Sequence, residues 1–110
     1  DLLLATGDLT EHGSIASYET LKAITQRLPF PVHFALGNHD VRANFRAVFA
    51  DVPVNETGHV QYDFVHGPLR FVVLDTLEEG HHGGALSDAQ AGWLDAVLAR
   101  DPRPTVLVLH

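Results

Sequence analysis

The sequence contains no cysteine, which excludes disulfides and redox-active thiols. It also lacks any apolar run near the roughly 20 residues needed to cross a bilayer, so we expect a soluble segment with no membrane partner and take the cytoplasm as the default location. Basic residues are scarce, with 7 Lys and Arg against 14 Asp and Glu, a net charge of −7. Such a surface repels a phosphate backbone, so a nucleic acid polymer is not an expected partner.

The scarcity of positive charge also restricts how the protein could bind an anion, because something other than its side chains must then supply the positive charge. A bound cation would do so. Eight histidines and no cysteines point to imidazole and carboxylate ligands rather than thiolates. The length of 110 residues and the apolar fraction of 45% are enough for one folded domain with a core.

Apolar periodicity predicts the order β-α-β-α-β-β-α-β, a layered α/β domain with helices packed on sheet. In such folds ligands gather at the carboxyl ends of the strands. The first strand should be buried on both faces, and Ser87 with Gln90 should form a capping box on the last helix. The first helix should bury the stripe Ile15, Tyr18, Leu21, Ile24 and Leu28, and the last should bury Trp93, Leu94, Val97 and Leu98.

Polar side chains follow four of the apolar strands: Asp8, the run Asn38-His39-Asp40, Asp75 and His110. Asp8 and Asp75 alone are each typical of a turn or a helix cap, and His110 alone of a hydrogen-bonded histidine at a core edge. The Asn38-His39-Asp40 run does not fit a simple turn, and together with the recurrence at strand ends it favours a metal site. The Asp8 carboxylate could bridge two cations, and neutral amide and imidazole groups could complete the set. Two cations can clamp a phosphoryl group and activate water, while a neighbouring imidazole protonates the leaving oxygen.

The motifs "GDLTEHG" and "GNHD", about thirty residues apart and each behind an apolar strand, resemble those of the calcineurin-like metallophosphoesterases. The stretches "VQYDFVHGPLRFVVLDT" and "GHHGGALSDAQAGWLDAVL" are similar to the class III cyclic-nucleotide phosphodiesterases within that family. The resemblance implies an α/β/β/α sandwich that holds two divalent ions (Mn, Fe or Zn). It also implies hydrolysis of small phosphoesters, most of all phosphodiesters such as 3',5'-cyclic nucleotides.

The resemblance also implies individual roles. Asp8 matches the metal-bridging aspartate, Asn38 and His110 match metal ligands, and His39 matches the histidine that assists the leaving group. Asn38 and His39 would both contact substrate. Glu11 stands where related phosphatases often place an aspartate that orients this histidine, and Asp40 is the rival partner.

Two ligand motifs of the family are not present: Asp-x-His, expected before residue 1, and Gly-His-x-His, expected after residue 110. We therefore expect residues 1–110 to be the central part of a single domain, incomplete at both ends, and to bind metal poorly alone. A non-catalytic binding or scaffold module remains the alternative function. The loop with His81 and His82 is expected to be an exposed turn, with a substrate contact or a homodimer contact as alternatives. Arg42 is expected to be solvated, with contact to an anionic substrate as the alternative.

Overall fold

A computed structural model describes residues 1–110 and contains three helices and five strands. Their order confirms the predicted β-α-β-α-β-β-α-β succession. The elements are β1 (Leu3–Thr6), α1 (Ile15–Thr25), β2 (Val32–Ala35), α2 (Arg42–Val48), β3 (Tyr62–His66), β4 (Leu69–Val73), α3 (Asp88–Arg100) and β5 (Thr105–Val108). None of these helices is long and apolar enough to span a membrane.

The strands form two separate sheets. β1 and β2 pair in parallel, with Thr6 opposite Ala35, so their carboxyl ends lie side by side. The second sheet has the order β3-β4-β5, in which β3 and β4 form the predicted antiparallel hairpin and β4 runs parallel to β5. Both parallel pairs therefore bring loops that follow apolar strands to a shared edge.

The two sheets face each other between layers of helix, which confirms the layered α/β fold class. Successive β4 residues show the layering, because side chains alternate across a strand. Val72 and Leu74 pack against Val97 of α3, whereas Phe71 and Val73 join the cluster between the sheets. A third cluster lies between β2 and the first two helices and contains Tyr18, Phe34, Leu36, Phe45, Phe49, Val60 and Leu77.

Side-chain caps explain where two of the helices begin. The Ser14 side chain accepts a hydrogen bond from the Ser17 backbone N–H and caps α1. Ser87 and Gln90 form the predicted capping box on α3, each side chain bonding the backbone N–H of the other. The capping-box signal is contained within four residues, which is why the sequence predicts it correctly.

Several burial predictions were wrong. β1 is not buried on both faces, since Leu3 is 39% exposed. In α1 only Tyr18 and Thr25 are buried, while Ile24 is 58% exposed, and the helix ends at Thr25, before the last residue of the expected stripe, Leu28. Leu98 of α3 is 40% exposed. The physical reason is that α1 packs against α2 and α3 against β4, so each buries a narrower face than its apolar stripe.

Candidate metal centre

The loops that follow β1, β2 and β5 meet at one edge of the sandwich. The backbone N–H of His39 donates to Oδ1 of Asp8 at 3.0 Å, which joins the loops after the two parallel neighbours β1 and β2. His110, two residues after β5, places its Nδ1 3.1 Å from the carbonyl oxygen of Thr6. The structure therefore brings Asp8, Asn38 and His110 together from separate parts of the chain.

Three atoms that can donate electron pairs converge at this edge. The Nε2 atom of His110 lies 3.1 Å from Oδ1 of Asn38 and 3.5 Å from Oδ2 of Asp8. Because the Thr6 carbonyl can only accept, Nδ1 of His110 donates to it, and in the neutral ring Nε2 then has a lone pair directed at Asn38 and Asp8. With Nε2 in this form, one cation could bind the imidazole nitrogen, the amide oxygen and the carboxylate oxygen.

The spacing of these atoms fits a shared cation. Ligand atoms bound about 2.1 Å from one ion lie about 3.0 to 3.4 Å from each other in octahedral or tetrahedral geometry. The separation of 3.1 Å lies within that range, and the separation of 3.5 Å lies just above it. No three His, Cys, Asp or Glu side chains converge to hold a metal anywhere in the chain, so the third donor here is the amide of Asn38.

Two glycines allow the close approach of these loops. A Cβ atom on Gly37 would collide with the backbone nitrogen of Asp8, and a Cβ on Gly7 would lie 2.7 Å from His110. Gly7 has φ +100° and Asp8 has φ +50°, the only positive φ of a non-glycine residue. Asp8 therefore occupies the left-handed region, which costs on the order of 1 kcal/mol or more and is typical of functional sites.

His39 is exposed beside the three converging donors. Its Nδ1 bonds the main-chain carbonyl oxygen of Glu11 at 3.0 Å, and its Nε2 has no partner in the protein. This carbonyl, followed by the negative charge of Asp8, raises the pKa of His39 above its usual value. The Glu11 carboxylate was predicted to orient His39, but the observed bond is made by the backbone carbonyl of Glu11. A role for the carboxylate stays a prediction.

Asp40 is not a partner of His39. Its carboxylate is 3% exposed and accepts hydrogen bonds from Leu9 N at 3.1 Å, Gly37 N at 2.8 Å and the Tyr18 hydroxyl at 2.8 Å. Burial, reinforced by the Asp40 carboxylate, raises the pKa of Tyr18, so the hydroxyl stays a donor. Asp40 thereby ties both motif loops to α1, a role that the sequence did not reveal.

Asp75 also points away from the three donors. It is 1% exposed and receives two hydrogen bonds from the Arg42 guanidinium, at 2.7 and 2.9 Å. The expectation of a solvated Arg42 was wrong, because this pair encloses its charged group. No local signal could have shown the pair, since 33 positions separate its members.

The glycine-rich loop lies next to the same edge. His82, Gly83 and Gly84 line a small cavity of about 10 Å³ together with Asn38 and His110. His81 and His82 are both exposed, as expected. Larger hollows of 330 to 420 Å³ lie along the helices and include none of the three donor residues. The contact of the loop with substrate or with a second subunit stays a prediction.

A layered α/β sandwich with carboxylate, amide and imidazole side chains at its strand ends carries the donor types of a divalent metal site. The family model for calcineurin-like phosphoesterases matches residues 1–110 in full. The chain therefore belongs to the calcineurin-like phosphoesterase family, whose members generally use divalent metal ions.

Relatives with curated names agree with this membership. Over its whole length, the chain is 39% identical to a probable cyclic nucleotide phosphodiesterase of Rhodococcus erythropolis, and the match covers 38% of that protein. Also over its whole length, it is 35% identical to a cAMP/cGMP dual specificity phosphodiesterase of Mycobacterium tuberculosis, of which 36% is covered. Over 98% of its length, it is 30% identical to a probable glycerophosphodiester phosphodiesterase of Arcobacter nitrofigilis, of which 40% is covered. The chain thus spans about two-fifths of the length of these relatives.

Proposed function

We propose that the protein hydrolyses phosphodiesters at a binuclear metal centre, with 3',5'-cyclic nucleotides as the leading substrate class. Asp8, Asn38 and His110 would supply donors to this centre, with Asp8 shared between the two cations. Bound divalent cations would polarise the phosphoryl group and lower the pKa of the attacking water. The identity of the metals among Mn, Fe and Zn is left open by the mixed nitrogen and oxygen donor set.

The observation that carries this proposal is the position of His110 Nε2, which lies 3.1 Å from Asn38 Oδ1 and 3.5 Å from Asp8 Oδ2. In a protein without such a function, polar groups that meet this closely are expected to pair donor with acceptor. Here an unprotonated His110 Nε2 would place three acceptors together at an exposed edge where a phosphate group could approach.

His39 is suited to protonate the leaving oxygen. The bond between its Nδ1 and the Glu11 carbonyl fixes the proton on that nitrogen and holds the ring in place. The same bond raises the pKa of His39, and in the protonated ring Nε2 also carries a proton. As the water oxygen bonds to phosphorus and the ester P–O bond breaks, Nε2–H gives its proton to the departing alkoxide.

The relatives support the substrate class. Two of them carry names of cyclic nucleotide phosphodiesterases, and a third carries the name of a glycerophosphodiester phosphodiesterase. Both substrate types are phosphodiesters with a small organic leaving group. A monoester preference is therefore the weaker alternative.

The test compares cyclic AMP, an aryl phosphodiester and an aryl monoester as substrates of the complete protein with Mn²⁺. We expect the two diesters to be cleaved faster than the monoester, and activity to disappear on chelation. No turnover of any of the three with Mn²⁺, Fe²⁺ or Zn²⁺ would refute the proposal.

The second candidate is a non-catalytic module of the same fold. It is favoured by the small donor set, since no three His, Cys, Asp or Glu side chains converge in the chain. We infer for the same reason that residues 1–110 alone bind metal weakly and turn over little substrate. Ready hydrolysis by this isolated segment would contradict that inference, whereas an inactive complete protein that still binds a partner would favour the module.

A further inference from the structure

A buried ion pair joins the start of α2 to the end of β4. The Arg42 guanidinium donates from Nε and Nη2 to the two oxygens of Asp75, at 2.7 and 2.9 Å, in a bidentate arrangement. Its Nη2 also donates to the carbonyl oxygen of Leu77 at 2.7 Å. The Asp75 side chain has no exposed surface, and the carboxylate raises the pKa of Arg42.

The Asp75 carboxylate also accepts hydrogen bonds from backbone N–H groups. The carboxylate accepts from Val60 N at 2.9 Å and from Leu77 N at 3.1 Å. Glu79 adds a second link, because its Oε1 accepts from the backbone N–H of Arg42 at 2.9 Å. The segment that follows β4 is thus held to the first turn of α2 by four hydrogen bonds to or from Arg42.

The two ends of this pair lie next to the residues of the proposed metal centre. Arg42 comes two positions after Asp40 and therefore anchors the loop that carries Asn38 and His39. Asp75 precedes Thr76, whose hydroxyl donates to the carbonyl oxygen of His110 at 2.7 Å. The ion pair consequently links the loop that carries Asn38 to the segment that is bonded to His110. The donor atoms of Asn38 and His110 lie 3.1 Å apart.

We propose that Arg42 and Asp75 form a positioning pair that sets the separation between the Asn38 and His110 donors, and so tunes metal affinity and turnover. This inference rests on the proposed function. Neither residue touches the donor atoms, so both act through the backbone. Displacement by about 1 Å at a reacting centre can lower the rate about 10²-fold. A rigid link that prevents such a displacement therefore preserves the rate.

The bidentate geometry is the part that matters for positioning. A buried ion pair is in itself weak evidence for stability, because desolvation of the charges offsets their attraction. Lysine would keep the positive charge but could not bridge both Asp75 oxygens and the Leu77 carbonyl from one planar group. Arg42→Lys therefore loosens the link while it retains the charge.

The experiment measures Mn²⁺ affinity by electron paramagnetic resonance, and kcat and KM, in the complete protein carrying Arg42→Lys. We expect Mn²⁺ binding to weaken about tenfold or more and kcat to fall about 10- to 100-fold, with a smaller change in KM. Asp75→Asn provides a second variant of similar shape and takes its place if Arg42→Lys does not fold.

Two arginines supply matched controls. Arg70→Lys disturbs another buried guanidinium, which is 2% exposed and bonds Val97, Asp101 and Thr105 beyond the other end of β4. Arg100→Lys disturbs an exposed ion pair with Asp63 of the same 2.7 Å length. Both controls should leave Mn²⁺ affinity and kcat within about twofold of the unmodified protein, because distant sites act independently.

The outcomes separate this inference from the proposed function. If Arg42→Lys and Arg70→Lys lose equal thermal stability and show the same Mn²⁺ affinity and kcat, the positioning role is refuted while the hydrolase remains. If the unmodified protein binds Mn²⁺ but cleaves no phosphoester, the proposed function fails, and the Mn²⁺ titration of Arg42→Lys still decides the positioning role. If the unmodified protein binds no divalent metal, both proposals fail.

Discussion

The two ends of β4 differ in whether all the polar groups around them have partners within the protein. At the beginning of the strand, the Arg70 guanidinium is buried and donates to oxygens of Val97, Asp101 and Thr105. Beyond the end of the strand, Asp75 is likewise buried and satisfied. Next to Asp75, however, lies the edge where His39 is exposed and three electron-pair donors face one another.

This difference separates groups that hold the fold from groups available for chemistry. Arg70 has protein partners for its charged nitrogens and therefore contributes to the fold alone. At the other edge, the carboxylates of Asp40 and Asp75 accept hydrogen bonds from several donors. They hold in place the neighbouring residues of the candidate site, whose side chains are at least partly exposed. Buried polar networks that are fully satisfied are rigid, which suits them to hold an exposed site in place.

The largest expected effect concerns the open end. His39→Ala in the complete protein should lower kcat about 10²- to 10⁴-fold, because it removes the proposed proton donor for the leaving oxygen. Metal content, measured by elemental analysis, should stay near that of the unmodified protein, since the assignment gives His39 no metal bond. Normal turnover in this variant would remove His39 from the mechanism and weaken the contrast between the two ends.

A smaller effect is expected from the enclosed groups at the same edge. Tyr18→Phe removes the hydroxyl that donates to Asp40 and accepts from Val41 N, so it should reduce the free energy of unfolding by about 1 to 3 kcal/mol. Urea denaturation measures this loss. We also expect weaker Mn²⁺ binding, because Asp40 bonds both motif loops.

Tyr62→Phe is the matched control for Tyr18→Phe. Burial raises the pKa of Tyr62 to about 12, and its hydroxyl accepts from Phe34 N and donates to Phe34 O, each at 3.0 Å. A similar loss of stability with unchanged Mn²⁺ affinity is expected. Equal effects of both variants on Mn²⁺ binding would show that general destabilisation, and not the link through Asp40, accounts for the Tyr18 result.

The smallest expected effect is a pH dependence away from the site. The His33 ring stacks on Phe64 with centroids 3.5 Å apart, and burial, followed by repulsion from His66, lowers the pKa of His33. The unfolded chain then binds this proton more readily than the folded chain. The stability linked to His33 should therefore be complete above pH about 6.5 and decline as the pH falls below that value.

Chemical denaturation at several pH values measures this dependence. His33→Phe can keep a stacked ring and cannot take up a proton, so its stability should fall less between pH 7 and pH 5 than that of the unmodified protein. Identical pH profiles for the two proteins would contradict the assignment to His33.

Much of the architecture was predictable because its signals are local. The succession of all eight elements follows from apolar periodicity, and the α3 capping box follows from Ser87 and Gln90 three residues apart. Which side of each element is covered was not predictable, as the exposure of Leu3 and Ile24 shows. Burial depends on packing partners far away in the chain, and an apolar stripe does not specify how wide a face they cover.

The candidate site likewise has features that were predictable from local sequence and features that were not. Which donors follow the strands, Asp8, Asn38 and His110, was readable from residue type and from position after an apolar run. That these donors meet, that Glu11 contacts His39 through its backbone and that Arg42 pairs with Asp75 became visible only in three dimensions. These contacts join residues 28 or more positions apart, and their geometry depends on how the two sheets and their helices pack.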